Sequence, residues 1–287
     1  STSWGLERAQ QVASAIAGAG DEKGEWGRIT ALNAMLGGHD ADSDHVNDLV
    51  FDSNFLVDLA TELEAIDWTT IARYAGWTSS SDSDIRMVAD QATGPHLSGQ
   101  SFDPLAGVLD AMGNNPTAAL DYLAPEQLLP SGDGAGTVDT TQIVNLAQRS
   151  WDQAGLSGFT AALAAGSSQR SSQRSFTAQR ADELTGHAIA GLAGHTDPDD
   201  YDDDAKARIG LLLANCRAEL TNAWTGGTAL DPNTLRVLPG VSREDLSTLA
   251  YGVVDSADAT TTIAAQLAQY AREQSQAGIA ANEGNSE

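Results

Sequence analysis

Apolar side chains recur along this chain at steps of three and four, while alternating strand-like runs are scarce, so its hydrophobic surface has to be buried by packing helix on helix. The clearest segment is 204–224, where Ile209, Leu212, Leu213, Cys216, Leu220 and Trp224 make one stripe and predict a single core helix ending at Gly226 and Gly227. Segment 53–68 repeats the pattern, with Ser53 as N-cap and Phe55, Leu56, Leu59, Leu63 and Ile66 along one face. Near the far end, Ser242 and Asp245 have capping-box spacing ahead of Leu246, Leu249 and Val253. A last helix from about Ser256 carries Ile263, Leu267 and Tyr270, and its polar tail is expected to fray beyond Gln274. Further helices are predicted near 4–17, 26–36, 139–150, 152–165 and 176–193. The fold expected is therefore all-α, an irregular multi-helix bundle of about ten helices. At 287 residues the chain stands near the size where single cores stop growing, and it is read as two helical regions, 1–124 and 125–287, packed as one unit.

The stretch 102–123, FDPLAGVLDAMGNNPTAALDYL, is the most sharply punctuated. Asp103 reads as a cap, Pro104 as the first helical turn and Gly113 as the stop, after which Asn115 and Pro116 start a second helix. Linkers are expected at 78–101, 125–138 and 166–175, each rich in Ser, Gly or Pro. The last holds a tandem SSQRSSQR, which reads as a tolerated surface insertion in preference to a recognition element built on Arg170 and Arg174.

Forty acidic residues against 15 basic ones give a formal charge of -25, a field that repels phosphate backbones and anionic headgroups. Nucleic acid and membrane surfaces are thus disfavoured as partners. No apolar run reaches the length of a membrane span, so no membrane insertion is expected. The chain starts at Ser1 without a basic or apolar leader, which suggests a processed form or a piece of something longer. One cysteine, Cys216, forms no internal disulfide and leaves the redox compartment open.

Residues 39–48, HDADSDHVND, set Asp40, Asp42 and Asp44 at the first three ligand positions of an EF-hand loop. His45 then stands where Gly makes the sharp turn and Phe51 where the bidentate Glu belongs, so a helix-capping loop is favoured over a Ca²⁺ site. The cluster 197–206, DPDDYDDDAK, reads the same way, as carboxylates at the positive end of the helix that follows. His39, His45, His96, His187 and His195 offer no paired spacing and no cysteine partner for Zn²⁺, and no metal or cofactor is assigned. Cys216 on its apolar stripe is read as an inert buried thiol. No nucleophile elbow, phosphate loop, dinucleotide fingerprint or metalloprotease motif occurs, and catalytic residues stay unassigned.

The 102–123 motif resembles a segment of large uncharacterised actinobacterial proteins that begin with a WXG-like helical hairpin and are associated with type VII (ESX-like) secretion. Other pieces fall in the family's order: LNAMLGG and DSNFLVDLATELEAID before the motif, then GFTAALAAG, ADELTGHAIAGLAG, AKARIGLLLANCRAELTNAW and DPNTLRVLPGVSREDLSTLAYGVV. The likeness spans about residues 27–275, the Asp103–Ala119 motif being its specific part, and the family's N-terminal hairpin is missing from this chain. Trp224-Thr-Gly226, Tyr251-x-x-x-Asp255 and Tyr122-x-x-x-Glu126 echo secretion signals and are read as ordinary helix-end sequence. The resemblance implies an exported or surface-associated protein, with the cytoplasm as the alternative, and brings no catalytic residues with it.

The function expected on these grounds is a non-enzymatic helical scaffold or interaction module that meets a protein partner or copies of itself, or the carrier region of a type VII-secreted protein. An effector or hydrolase with a site near His39–Asp48 is the alternative, and a Ca²⁺-responsive acidic surface protein is a third.

Overall fold

The computed structural model describes residues 2–18, 27–66, 96–127, 136–194, 200–225, 238 and 240–284. In chain order the helices are α1 (Thr2–Gly18), α2 (Gly27–Leu36), α3 (Ser53–Glu64), α4 (Ala106–Met112), α5 (Pro116–Leu123), α6 (Thr141–Ala147), α7 (Gln153–Ser168), α8 (Ser175–Leu192), α9 (Asp203–Ala214), α10 (Arg217–Thr225), α11 (Arg243–Gly252) and α12 (Ala257–Gly284). A 3-10 turn, Gln169–Ser171, follows α7, and two short strands, β1 (Glu126–Gln127) and β2 (Thr137–Val138), pair antiparallel with Glu126 opposite Val138. The fold is all-α, as the periodicity requires. His195 and Gly226, and most of the linker expected at 78–101, lie outside the described residues.

Helix α7 runs through the middle and packs against α4, α5, α8 and α9, while α12 lies outside α9 and α10, and α1 outside α3. Burying a helix on every side demands small residues, and α7 (QAGLSGFTAALAAGSS) supplies them: every residue from Gly155 to Ser167 is buried. A Cβ on Gly158 would stand 2.3 Å from the carbonyl oxygen of Ala106, so glycine there is what lets α4 close on α7. The hydroxyls that come with such a composition are satisfied locally: Thr160 Oγ1 donates to the Ser157 carbonyl (2.8 Å) and Ser167 Oγ to that of Ala164 (2.8 Å). Trp151, just ahead of α7, stacks on Phe159 at 5.3 Å and donates its indole N–H to the Leu146 carbonyl (3.0 Å). Most of the buried apolar residues form one contiguous cluster from Ala9 to Ile263.

Two caps stand where the sequence sets them. Asn115 accepts from Ala118 N with Pro116 at N1 of α5, and Ser242 and Asp245 close a reciprocal capping box on α11. Others move. Asp52, not Ser53, caps α3 by accepting from Phe55 N. Asp103 does not cap α4, which begins three residues later; its carboxylate accepts from Leu105 N. The stripe at 204–224 is broken into α9 and α10 at Asn215 and Cys216. There Arg170 Nη1 donates to the Asn215 carbonyl (2.7 Å), capturing an acceptor a continuous helix would use, and Asn215 Nδ2 donates to Ser167 Oγ (2.8 Å). The break turns the face of α10, so Trp224 is half exposed instead of lying in the core. The expected linker at 166–175 is helical through Ser171, and Arg170 is buried against Asp182 and Glu219 of α8 and α10. Arg170 is thus no surface residue, while Ser171 and residues 173–175 are exposed. Helix α12 continues to Gly284, past the point where fraying was expected.

Candidate functional site

The residues that gather chemistry in one place lie where the α2–α3 loop meets α4, α7 and the first turns of α9 and α12. Asp110 sits in α4, every residue of which is buried, and it needs a cation. Arg208 of α9 provides it, with Nη2 donating to Asp110 Oδ1 at 2.7 Å and both side chains nearly sealed from solvent. The other carboxylate oxygen accepts from Gly38 N (2.8 Å) and Asn47 Nδ2 (3.0 Å). Arg208 also donates to the carbonyl of His45 through Nε (2.9 Å) and to the carbonyl and hydroxyl of Ser157 through Nη1 (2.9 Å each). One guanidinium thus fastens α9 to the loop, to α7 and to α4. Such a pair contributes mostly by fixing arrangement, since desolvation offsets much of its Coulomb attraction.

Beside it, Asn33 of α2 donates to the carbonyls of Ser101 and Asp103 (2.8 Å each) and accepts from Gly107 N (2.9 Å). A Cβ at Gly107 would stand 2.6 Å from Asn33 Cα, so this contact requires glycine. Asp103 is fully buried, with Arg149 Nη2 2.9 Å from Oδ2 but without an aligned N–H. Burial pushes its carboxyl up to about 6, against the pull of Arg149 and of the Leu105 amide. Ser101 Oγ donates to Asp152 Oδ1 (2.6 Å), which also caps α7 through Gly155 N.

The loop is built on its own carboxylates. Asp40 accepts from Asp44 N (3.1 Å) and His45 N (2.8 Å), Asp44 from Val46 N (2.9 Å) and Asp48 from Ala41 N (2.7 Å). Ser43 and His45 take positive φ, 62° and 64°. His45 therefore makes the left-handed turn assigned to glycine in an EF-hand loop, a conformation in which histidine is enriched among non-glycine residues. Asp40, Asp42 and Asp44 can each bring a carboxylate oxygen within 4.8 Å of the others, enough to contact one cation, while Phe51 still stands in place of the bidentate glutamate. Asp42 is held above the usual carboxylate range by Asp44 first, then by partial burial and Asp48.

Two clefts flank Arg208. One, of about 210 Å³, is polar and lined by Asn33, Gly38, Asp110, Asp202 and Asp204 as well as Arg208. The other, of about 240 Å³, is mainly apolar, with His45, Val46, Pro116, Ala161 and Ala165 on its walls beside Arg208. His45 presents Nδ1 to Asp204 (2.9 Å) and Nε2 to Asp258 (3.2 Å). Both ring nitrogens are occupied by carboxylates, so the histidine has no nitrogen left to accept a proton from a hydroxyl or water.

The sequence clusters are only partly brought together here. Asp202 caps α9 through Ala205 N, and Asp203 and Asp204 follow in its first turn, so the second acidic cluster meets the first through His45. The other described histidines lie apart from it: His39 touches the Ala34 carbonyl (3.1 Å), His96 packs on Phe102 and His187 stands 4.0 Å from Glu183. Cys216 is buried with its thiol pushed up to about 12 by desolvation, ahead of the opposing pull of Arg170. Asp110, Arg208 and Asn33 are the residues sequence reasoning missed. The signal for Asp110 was a single charge inside an otherwise apolar stretch, LAGVLDAM; Arg208 shares its helix with Asp203, Asp204 and Lys206, and nothing set Asn33 apart.

An all-α architecture whose polar interior ties helices together, with no helix among the described residues long and apolar enough to cross a membrane, defines a class of multi-helix domain. The chain belongs to DUF6571, a family of unknown function, whose match covers residues 1–287. No curated protein and no solved structure matches it.

Proposed function

We propose that this chain is a non-enzymatic helical scaffold, an interaction or carrier module of an exported or cell-surface-associated actinobacterial protein that works with a protein partner or with copies of itself. The observation that carries this reading is how the buried charges are used. Arg208, Arg170, Asp110 and Asp103 each face an opposite charge on another segment, joining pieces 12 or more residues apart in sequence. Asp110 and Arg208 also line the polar cleft, but their hydrogen bonds go to other segments of the chain, which supports a role in holding a shape. The exposed Trp224 of α10 and Tyr251 of α11 are side chains of the type that anchors protein interfaces. The setting in type VII secretion is supported by the likeness of 102–123 to proteins of that system, and the charge of -25 argues against nucleic acid.

Light scattering and mass spectrometry on native material test the reading. A stable assembly or a stoichiometric protein partner is the expected result. A bare monomer that recovers no partner from native cell envelope would overturn it.

A further inference from the structure

The α2–α3 loop is fastened at its tip by one side chain that reaches two helices far along the chain. His45 spans Asp204 in the first turn of α9 and Asp258 in the first turn of α12, 159 and 213 residues away. A neutral imidazole carries one N–H and can donate to only one of these carboxylates; the imidazolium donates to both. The observed bridge is complete only in the charged form. Its surroundings favour that form. From the loop, Asp40 accepts from the His45 amide and Asp44 lies one residue away. From α9 come Asp204 and, at its cap, Asp202. Lys206 of the same helix is engaged by Asp255 (2.7 Å), and Arg208 is neutralised by Asp110. From α12 comes Asp258.

We propose that His45 is a protonation-controlled latch that holds the α2–α3 loop across the apolar cleft between α7 and α9. With the imidazolium in place, the loop tip is drawn to α9 and α12 together, and His45 and Val46 are held as one wall of the cleft beside Pro116, Ala161 and Ala165. When the ring loses its proton, one nitrogen becomes an acceptor facing a carboxylate, that contact turns repulsive, and the tip is held on one side only. Arg208 Nε still grips the His45 carbonyl, so the loop swings about that point and does not detach. Partial burial is the largest single influence on the histidine and lowers it, but the hydrogen bonds and charges of Asp204 and Asp258 together outweigh burial and raise it above its ordinary value. A raised folded-state value places the latch's contribution in full below about pH 6.5, with loss as pH rises through the folded value. The bridge is also salt-sensitive, because Asp204 and Asp258 are well exposed.

Hydrogen exchange of the intact chain, corrected for intrinsic rates, is to be followed at residues 44–47 between pH 6 and 9, alongside the NMR titration of the His45 ring. Protection is expected to fall roughly threefold or more across the His45 midpoint, the scale of two exposed ion pairs, and that midpoint is expected to lie above 6.5 and to drop in 0.5 M salt. In His45→Gln the fall should vanish. In Asp258→Asn, which leaves the histidine and loop in place, the midpoint should move down. Protection that is flat with pH in the wild type, a midpoint at or below 6.5, or a fall that persists in a folded His45→Gln would each overturn the latch. Should His45→Gln not fold, the wild-type titration and Asp258→Asn decide the matter alone.

Discussion

Helices α7 and α12 are both long, yet they solve opposite problems. Every residue of α7 from Gly155 to Ser167 is buried, and its hydroxyls bond to its own carbonyls or accept from Arg208. Helix α12 buries Ala259, Ile263 and Tyr270 on one stripe, half-buries Leu267 beside them and, among its described side chains, leaves most of the rest exposed. The difference shows where this molecule concentrates its specificity: in backbone proximity and ion pairing around α7, and in ordinary amphipathic packing along α12.

The largest effect should come from stripping the cation that faces α7. Arg208→Met would leave Asp110 charged and buried, and a loss of about 3–5 kcal/mol in urea unfolding is expected. Adding Met at Asp110 as well should recover much of it; if the double variant is no better than the single, the pair is not the source of the cost. Next comes Gly158→Val, whose Cβ would collide with the Ala106 carbonyl and force α4 off α7. Roughly 3 kcal/mol is the expected loss, at the upper end for overpacking. On α12, Leu267→Ala removes a partly buried side chain and should cost about 1 kcal/mol or less, scaled from the cost for full burial. A larger loss there would erase the contrast between the two helices.

A smaller effect separates the junction around α4 from both. The carboxyl of Asp103 stands at about 6 in the folded chain, above its ordinary 3.8. A carboxyl raised in this way favours the fold fully below about pH 3.8, and the benefit is lost as pH rises through about 6. Thermal midpoints measured between pH 4 and 7 should therefore show a component that disappears in Asp103→Asn. An identical pH slope in the variant would mean that Arg149 cancels the desolvation. Least of all is expected from Ca²⁺. With Asp40, Asp44 and Asp48 already accepting backbone amides and no glutamate at the twelfth loop position, millimolar Ca²⁺ should shift the thermal midpoint no more than Mg²⁺ at matched ionic strength. A saturable, Ca²⁺-specific rise would make the loop a cation site.

What could be read from the sequence was local. Asn115 with Pro116, and Ser242 with Asp245, are caps made by residues three or fewer positions apart, and the helices they start fall where the periodicity places them. Apart from the α3 cap, which moved one residue from Ser53 to Asp52, the main errors share one cause, a partner distant in sequence. The break at Asn215 depends on Arg170, 45 residues upstream, and the burial of Arg170 on Glu219, 49 residues downstream. Asp103 looked like a cap because Pro104 follows it, whereas its carboxylate is turned inward toward Arg149. Of the candidate site, the Asp40, Asp42 and Asp44 cluster was visible as spacing. The bridging role of His45 was not, because no local pattern announces carboxylates on helices that come so much later.

The bond from Arg208 to the His45 carbonyl joins residues 163 apart. Closing so wide a loop costs chain entropy that is repaid only after α4, α7 and α9 have docked, so this junction belongs to the last stage of folding. Interactions absent from the transition state act on the escape rate from the native state. The guanidinium is therefore a brake on unfolding more than a guide to folding, and its loss should leave refolding nearly as fast while shortening the lifetime of the folded chain.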